Sequence, residues 1–295
     1  MSGVLVVGRD GQLALSLAER AAAAGVVLSF VGRPEIDLLE PGTLRRAIRD
    51  AAPEVIVNAA AYTAVDQAED EPEAAAAVNA AAPRAIAEAA RAAGARFIHV
   101  STDYVFDGTG DRPWREDDPT APAGVYGRTK LAGEEAVREI LRGHAIVRTA
   151  WVYSPFGRNF VKTMLSVAEA RSELRVVGDQ VGNPTSALDL ADGLLAMLAA
   201  WRQEPRLGLG ATYHLAGTGS ASWADFARAV FALSGARGGP TADVEAIVTA
   251  EWPAKAPRPL NSRLSSDRFA ATFGYRAPPW RESLERVIGR LLPDA

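Results

Sequence analysis

The chain has 295 residues, of which 48% are hydrophobic and 23% charged, and it contains no cysteine. These proportions are typical of a folded globular protein and argue against a disordered chain or a membrane bundle. The lack of cysteine excludes disulfides, cysteine-ligated metals and thiol nucleophiles, and three scattered histidines give no reason to expect a metal site. A net charge of -4 provides no basic field for nucleic acid. Without a basic leader or a run of eighteen apolar residues, the chain is expected to be cytoplasmic and to have no membrane partner.

Short apolar runs alternate with helical patterns in the first part of the chain, which is typical of βαβ units. The predicted strands are Val4–Val7, Val27–Val31, Val55–Asn58, Phe97–Ser101, Ala145–Val147 and Leu174–Val177. The predicted helices are Gln12–Ala24, Thr43–Ala52, Glu73–Ala92, Tyr126–Leu141 and Phe160–Ser172. Because the strands are continuously apolar, we expect an α/β fold with a doubly wound, Rossmann-like parallel sheet.

The pattern becomes less regular after Gln180, where glycine and proline are more frequent. Predicted helices there are Leu188–Trp201, Ala221–Leu233 and Trp280–Leu292, and predicted strands are Tyr213–Ala216 and Val244–Val248. We therefore expect residues 1–179 to form a dinucleotide-binding domain that carries the catalytic residues. Residues 180–295 would form a smaller α/β lobe for the substrate, interleaved with the first.

A glycine-rich turn joins the first strand to the first helix, with Gly8 and Gly11 ahead of Gln12, Leu13 and Ala14. In this position a dinucleotide pyrophosphate meets the N-terminus of a helix. The same turn could need glycine for conformational reasons alone.

The segment after the second strand contains Arg33, Asp37 and Leu38. An arginine at this strand end favours the 2′-phosphate of NADP(H) over the free ribose hydroxyl of NAD(H). The alternative is an arginine that is only solvated. We expect Asp37 and Leu38 to lie at the adenine edge.

Tyr126 and Lys130 lie four residues apart on a predicted helix and so share one face. A neighbouring ammonium lowers the pKa of a tyrosine toward a range useful for proton transfer. The chain has only three lysines, so this spacing is less easily accidental. Thr102 follows the fourth strand and would reach the same crevice, where its hydroxyl can hydrogen-bond a carbonyl and the phenol. The alternative is a surface tyrosine–lysine pair.

Together these residues resemble the extended short-chain dehydrogenase/reductases and, more narrowly, the dTDP-4-dehydrorhamnose reductase family. The narrower resemblance is carried by Gly11-Gln12-Leu13, the run from Asn58 to Asp66, Arg148-Thr149-Ala150-Trp151-Val152-Tyr153, Asn159-Phe160-Val161-Lys162-Thr163-Met164, Asp179-Gln180-x-Gly182-x-Pro184-Thr185 and Arg258-Pro259-x-Asn261-Ser262-Arg263-Leu264. It covers nearly the whole chain.

The resemblance implies an NADPH-dependent reduction of a dTDP-4-keto-6-deoxyhexose to dTDP-L-rhamnose. Tyr126 would donate the proton, Lys130 would hold the nicotinamide ribose and lower the pKa of the phenol, and Thr102 would orient it. The residues implied to contact the dinucleotide are Gly8, Gly11, Gln12, Leu13, Arg33, Asp37, Leu38, Ala61, Tyr62, Thr63, Tyr126 and Lys130. Those implied to contact the substrate are Thr102, Asp103, Tyr126, Trp151, Asn159, Gln180, Arg258, Asn261 and Arg263.

Several alternatives stay open at this point. Arg258, Asn261 and Arg263 could belong to an exposed basic loop instead of a diphosphate site. The fold also has relatives that bind a dinucleotide as regulatory subunits of methionine adenosyltransferase, and others that reduce different dTDP-deoxysugars. NADH could be accepted beside NADPH, and the chain could be a monomer or a homodimer. Some family members use Mg²⁺, but Ser16 and Leu188 stand where its acidic ligands would be sought, so no metal is expected.

Overall fold

The computed structural model describes residues 3–292. Its strands are β1 (Val4–Val7), β2 (Ser29–Val31), β3 (Val55–Asn58), β4 (Arg96–Thr102), β5 (His144–Thr149), β6 (Val152–Tyr153), β7 (Glu173–Val177), β8 (Val181–Gly182), β9 (Thr185–Ser186), β10 (Ala211–His214), β11 (Ala221–Ser222), β12 (Asp243–Ile247) and β13 (Asn261–Ser262). Its α-helices are α1 (Gln12–Ala23), α2 (Pro41–Ala51), α3 (Val65–Ala68), α4 (Pro72–Ala76), α5 (Ala82–Ala93), α6 (Val125–Ile140), α7 (Phe160–Ala168), α8 (Ala187–Gln203), α9 (Trp223–Gly235), α10 (Asp267–Phe273) and α11 (Trp280–Leu291).

Six parallel strands form the central sheet in the order β10-β5-β4-β3-β1-β2. Helices α1 and α8 cover one face, and α2, α5 and α6 cover the other. Both faces are therefore buried, which explains the continuous apolar runs in the strands. The predicted doubly wound α/β fold is confirmed.

The edge of the sheet differs from the prediction. The predicted strand Leu174–Val177 forms as part of β7, but β7 pairs with β12 in a separate two-stranded sheet. The sixth strand of the central sheet is β10, in which Tyr213 lies opposite Val147 of β5. Helix α8 causes this exchange, because it packs beside α1 and leads the chain back to the sheet edge.

A second core lies between α7, α9, α11 and the β7–β12 pair. Tyr153, Phe226, Trp280 and Val287 are buried in it. The predicted division at residues 179 and 180 as two domains stays a prediction, and the contribution of β10 to the central sheet interleaves the two parts. Within residues 3–292, the helices lack the combined length and apolarity required to cross a bilayer.

Candidate active site

A cleft of about 610 Å³ opens at the carboxyl ends of the central strands. Strand β2 lies on one side of β1, and β3, β4 and β5 lie in succession on the other side. The strand order therefore reverses at the boundary between β1 and β3, which is the topological switch point of the sheet. Ligands of open α/β sheets bind at such a point. The cleft includes the turn after β1, the residues after β3, and the side chains of Tyr126 and Lys130 from α6.

The glycine turn is shaped for a close approach of backbone. Gly8 has a φ of +111°, and a Cβ atom there would lie 3.3 Å from the backbone nitrogen of Ala60. Gly11 is the N-cap of α1 and supplies no side-chain hydrogen bond to the first turn. The first N–H groups of α1 are thus left for an anion, as a dinucleotide phosphate site requires.

Most of the predicted dinucleotide contacts line this one cleft. They are Gly8, Gly11, Gln12, Leu13, Arg33, Leu38, Ala61, Thr63, Tyr126 and Lys130. Asp37 and Tyr62 lie outside the lining and have other partners. Asp37 Oδ1 accepts the N–H of Leu39, and the Tyr62 hydroxyl donates to Glu71 at 2.8 Å.

Two further arginines line the cleft beside Arg33, and sequence reasoning missed both. They are Arg9, inside the glycine turn, and Arg158, in the loop before α7. Arg9 forms an ion pair with Glu35 at 3.0 Å. The sequence signal for Arg9 was its place between Gly8 and Gly11, whereas Arg158 is brought in only by the tertiary structure.

The floor of the cleft carries a polar atom without a protein partner. The hydroxyl oxygen of Thr149 is buried, lines the cleft, and makes no hydrogen bond within the described residues. Buried polar groups are nearly always hydrogen-bonded. This hydroxyl therefore fits a cleft that receives a polar ligand such as a dinucleotide.

Tyr126, Lys130 and Thr102 come together where α6 crosses the end of β4. Lys130 Nζ donates to the carbonyl oxygen of Val100 at 2.7 Å. The Thr102 hydroxyl donates to Asp103 Oδ1 at 3.0 Å and lies within hydrogen-bonding reach of the Tyr126 phenol. The structure thus brings Tyr126 and Lys130 into one cleft and Thr102 beside the phenol.

The predicted lowering of the Tyr126 pKa by Lys130 stays a prediction, and burial dominates the pKa of both groups in the protein without ligands. Burial raises the pKa of Tyr126 to about 12, with the Thr102 hydrogen bond lowering that pKa and the Asp103 charge raising it. Burial also lowers the pKa of Lys130 to about 8 against the opposing effect of Glu134. Desolvation dominates both groups, and the ammonium is engaged with a carbonyl instead of the phenol.

A second cavity of about 810 Å³ lies between α7, the β7–β12 pair and the segment before β13. It adjoins the first cleft through Tyr104, which lines it and packs edge-on against Tyr126 with ring centroids 5.3 Å apart. Of the predicted substrate contacts, Gln180 and Arg258 line this cavity. Trp252, which the sequence did not single out, forms part of its wall.

Other predicted substrate residues have structural partners. Trp151 has a φ of +48° and stacks on Trp223 with ring centroids 3.5 Å apart, so that one face of its ring is covered. Asn159 caps α7 and donates to Gln12 Oε1 at 3.0 Å.

Asn261 donates to the carbonyl oxygens of Thr109 and Arg112, and its Oδ1 accepts from Arg263 Nε at 2.9 Å. Asp103 is buried behind Thr102. The structure does not gather the other predicted substrate contacts with Gln180 and Arg258. Those outside the linings of both cavities are Thr102, Asp103, Trp151, Asn159, Asn261 and Arg263.

The residues at the expected magnesium positions do not fit a metal. The hydroxyl of Ser16 is buried, and Leu188 carries no donor atom. Within residues 3–292, no group of three or more His, Cys, Asp or Glu side chains is arranged to hold a metal ion.

Comparisons with known proteins agree over nearly the full chain. A family model described as the RmlD substrate binding domain matches residues 1–292. The chain is 47% identical to dTDP-4-dehydrorhamnose reductase of Sinorhizobium fredii, with 97% of each chain covered. It is 42% identical to that of Escherichia coli strain K12, covering 98% of this chain and 97% of the relative.

Solved structures include dTDP-4-dehydrorhamnose reductase of Bacillus anthracis in complex with NADP. That structure is 33% identical to this chain, with a TM-score of 0.90, and the match covers 98% of this chain and 99% of the other. The chain therefore belongs to the dTDP-4-dehydrorhamnose reductase family.

Proposed function

We propose that this protein reduces the 4-keto group of dTDP-6-deoxy-L-lyxo-4-hexulose to give dTDP-L-rhamnose, using NADPH. The observation that carries the proposal is that Tyr126 and Lys130 line a cleft at the switch point of the sheet, with Thr102 beside the phenol and a second cavity adjoining. The family relationship supports the same reaction. When bound, NADPH supplies the hydride for the carbonyl carbon.

Tyr126 acts as the proton donor in this proposal. A phenol with a pKa of about 12 is protonated at neutral pH and has a proton to give when the carbonyl oxygen gains negative charge. The Thr102 hydroxyl stabilises the phenolate that forms once its single proton turns from Asp103 Oδ1 to the phenol oxygen, since hydrogen bonds to the charged form favour it.

Lys130 changes its partner during the reaction in this proposal. Its ammonium is held on the Val100 carbonyl within the lining of the dinucleotide cleft. From there it can reach a nicotinamide ribose and approach the phenol, which would lower the cost of the phenolate. Its pKa of about 8 keeps a large fraction charged at pH 7.

The choice of NADPH rests on the three arginines in the cleft. Arg33, Arg9 and Arg158 provide positive charge in a protein whose net charge is -4. A 2′-phosphate is bound well by planar guanidinium groups that can donate two hydrogen bonds at once. The NADP complex of the Bacillus anthracis relative supports the same cofactor.

The nucleotide end of the substrate would occupy the second cavity, with Arg258 at the diphosphate and Gln180 deeper along the wall. The keto sugar would then lie at the junction next to Tyr104 and Tyr126. This placement uses both cavities and their shared aromatic boundary.

The testing experiment follows NADPH oxidation by nicotinamide absorbance, with the keto sugar generated in place and the product sugar identified. We expect dTDP-L-rhamnose. Cofactor binding without turnover would favour a regulatory subunit, and turnover only with another 4-keto sugar would change the substrate while keeping the chemistry.

Tyr126→Phe supplies the control for the proton donor. The variant should bind NADPH nearly as well as the parent, because a hydroxyl is lost without a change of shape. Turnover should fall by about two to four decades, as for removal of a general acid. Near-normal turnover by this variant would refute the assigned role.

A further inference from the structure

The segment 252–258, called the strap here, forms one wall of the second cavity through Trp252, Pro253 and Arg258. It crosses from the region after β12 to the short helix α3, which belongs to the first half of the chain. Arg258 is the strap residue proposed above to meet the diphosphate. How its guanidinium is held therefore bears on substrate binding.

Asp66 of α3 holds the strap at two points. Its Oδ1 accepts the backbone N–H of Ala256 at 3.0 Å, and its Oδ2 accepts Nη2 of Arg258 at 2.7 Å. One carboxylate thus fixes both the backbone and the arginine of a three-residue stretch. The Arg258 side chain is therefore already ordered before a ligand binds, so binding does not have to restrict its rotamers.

The second terminal nitrogen of the Arg258 guanidinium is not used by Asp66. Its Nη1 is buried and has no hydrogen-bond partner, although the side chain as a whole is 19% exposed. The guanidinium also influences the pKa of Tyr104, which packs against Tyr126. Because Arg258 lines the second cavity, a guanidinium with one unpaired donor lies in the wall of that cavity and close to Tyr104.

The same turn of chain carries two more contacts. Glu69 Oε1 accepts the N–H of Val125, the first residue of α6, at 2.7 Å. Asp70 forms an ion pair with Lys255 of the strap. Residues just before this turn, including Thr63, line the dinucleotide cleft. The turn thus connects the dinucleotide cleft, the catalytic helix and the strap.

We infer that Asp66 is a positioning residue that holds the guanidinium of Arg258 in the wall of the second cavity, ordered in advance for the diphosphate of a nucleotide sugar. The inference rests on the proposed function. In this inference Asp66 does not contact the ligand itself, but fixes the Arg258 guanidinium, which does. A guanidinium anchored by one nitrogen can present the others to a phosphate without first being ordered.

Asp66→Asn in the full chain tests this inference, with dTDP as the probe in titration calorimetry. The amide oxygen can still accept from Ala256, whereas the charge that holds Arg258 is gone. We expect dTDP to bind about tenfold more weakly and the substrate KM to rise by a similar factor, with kcat within about twofold. NADPH affinity and the urea unfolding midpoint should stay unchanged.

Asp70→Asn is the matched control, since it removes the neighbouring ion pair on the same turn. The side chains of Lys255 and Asp70 are 52% and 59% exposed, and such pairs contribute little. Its dTDP affinity should equal that of the parent. An equal loss in both variants would mean a general effect of surface charge and would overturn the inference.

A double-mutant cycle with Arg258→Met checks that Asp66 acts through the arginine. In the Arg258→Met background, Asp66→Asn should cause no further loss of dTDP affinity. Additive losses, or an Asp66→Asn variant with parental affinity, would overturn the inference, as would a parent protein that does not bind dTDP. A parent that binds dTDP but does not reduce the keto sugar would refute the proposed function only, because these binding comparisons can still be made.

Discussion

At the scale of single residues, Asp103 is a carboxyl group buried next to the hydroxyl of Thr102. Burial raises its pKa to about 6, while hydrogen bonds from Ser262, Thr102 and the backbone oppose the rise. An aspartate ordinarily has a pKa near 3.9. Because the folded protein disfavours the ionised form, the penalty is absent below about pH 4 and grows as the pH rises through about 6.

Asp103→Asn should therefore stabilise the protein in a pH-dependent way. Above about pH 6.5 the variant should have a free energy of unfolding about 3 kcal/mol higher than the parent, which corresponds to a pKa difference of about two units. The difference should shrink toward zero near pH 4. Urea unfolding at a series of pH values measures it, and a pH-independent difference would show that Asp103 does not titrate as stated.

The arginines of the dinucleotide cleft give a second prediction for single residues. Arg33→Ala should raise the KM for NADPH about tenfold and leave the KM for NADH nearly unchanged, since only NADPH carries the 2′-phosphate. Arg9→Ala should act in the same direction, but less strongly, because Arg9 is shared with Glu35 at 3.0 Å. Steady-state kinetics with both cofactors measures the effects. Equal changes for NADPH and NADH would rule out recognition of the phosphate by these residues.

At the scale of elements, the segment Glu73–Ala92 shows that an apolar repeat can predict a helical segment but not the way in which that helix is interrupted. Its apolar period was correct, but the chain forms α4, a π-helical turn over Ala77–Ala81, and α5. Pro83 has no N–H to give to the carbonyl of Asn79, so the regular hydrogen-bond ladder cannot continue there. The Asn79 side chain instead bonds both backbone groups of Tyr62 and the hydroxyl of Thr129 on α6. No local sequence pattern predicts these long-range contacts.

The placement of α6 depends on glycines where other elements approach it. A Cβ atom at Gly127 would lie 2.2 Å from the carbonyl oxygen of Tyr104, and one at Gly133 would lie 2.1 Å from that of Asn79. The spacing of Tyr126 and Lys130 could be predicted from sequence, because it depends only on the helix. The distance from α6 to Thr102 could not, because it depends on this close packing between elements.

Gly127→Ala tests that dependence. The added methyl group meets backbone, which cannot move cheaply, so α6 should shift and the protein should lose about 1–3 kcal/mol of stability. Because Tyr126 adjoins Gly127, turnover should also fall while the dinucleotide still binds. Gly42→Ala on α2 is the control, since a Cβ there has open space and should cause no loss in either measurement. Parental turnover by Gly127→Ala would contradict the argument.

At the scale of the whole molecule, the sheet and its cover come from both halves of the chain. The apolar runs predicted a parallel sheet, but no periodicity indicated that β10 would pair with β5 across the length of α8. Five side chains of α8, namely Leu190, Leu194, Met197, Leu198 and Trp201, are buried in the core that also contains Leu13 and Leu17 of α1. The boundary predicted between residues 179 and 180 therefore separates the central sheet from β10, which is one of its strands, and from α8, which covers one of its faces.

A fragment of residues 1–180 should consequently fail to fold alone. Burial of one large apolar side chain contributes about 1.5–3 kcal/mol, and a typical domain is stable by only about 5–15 kcal/mol. Loss of the five α8 side chains would remove most of that margin and would also leave β5 as an unprotected edge strand. In the full chain, tryptophan fluorescence and far-ultraviolet circular dichroism should report one coincident urea transition, whereas the fragment should show neither a cooperative transition nor NADPH binding. A fragment that unfolds cooperatively and binds NADPH as the full chain does would establish residues 1–180 as an independent domain.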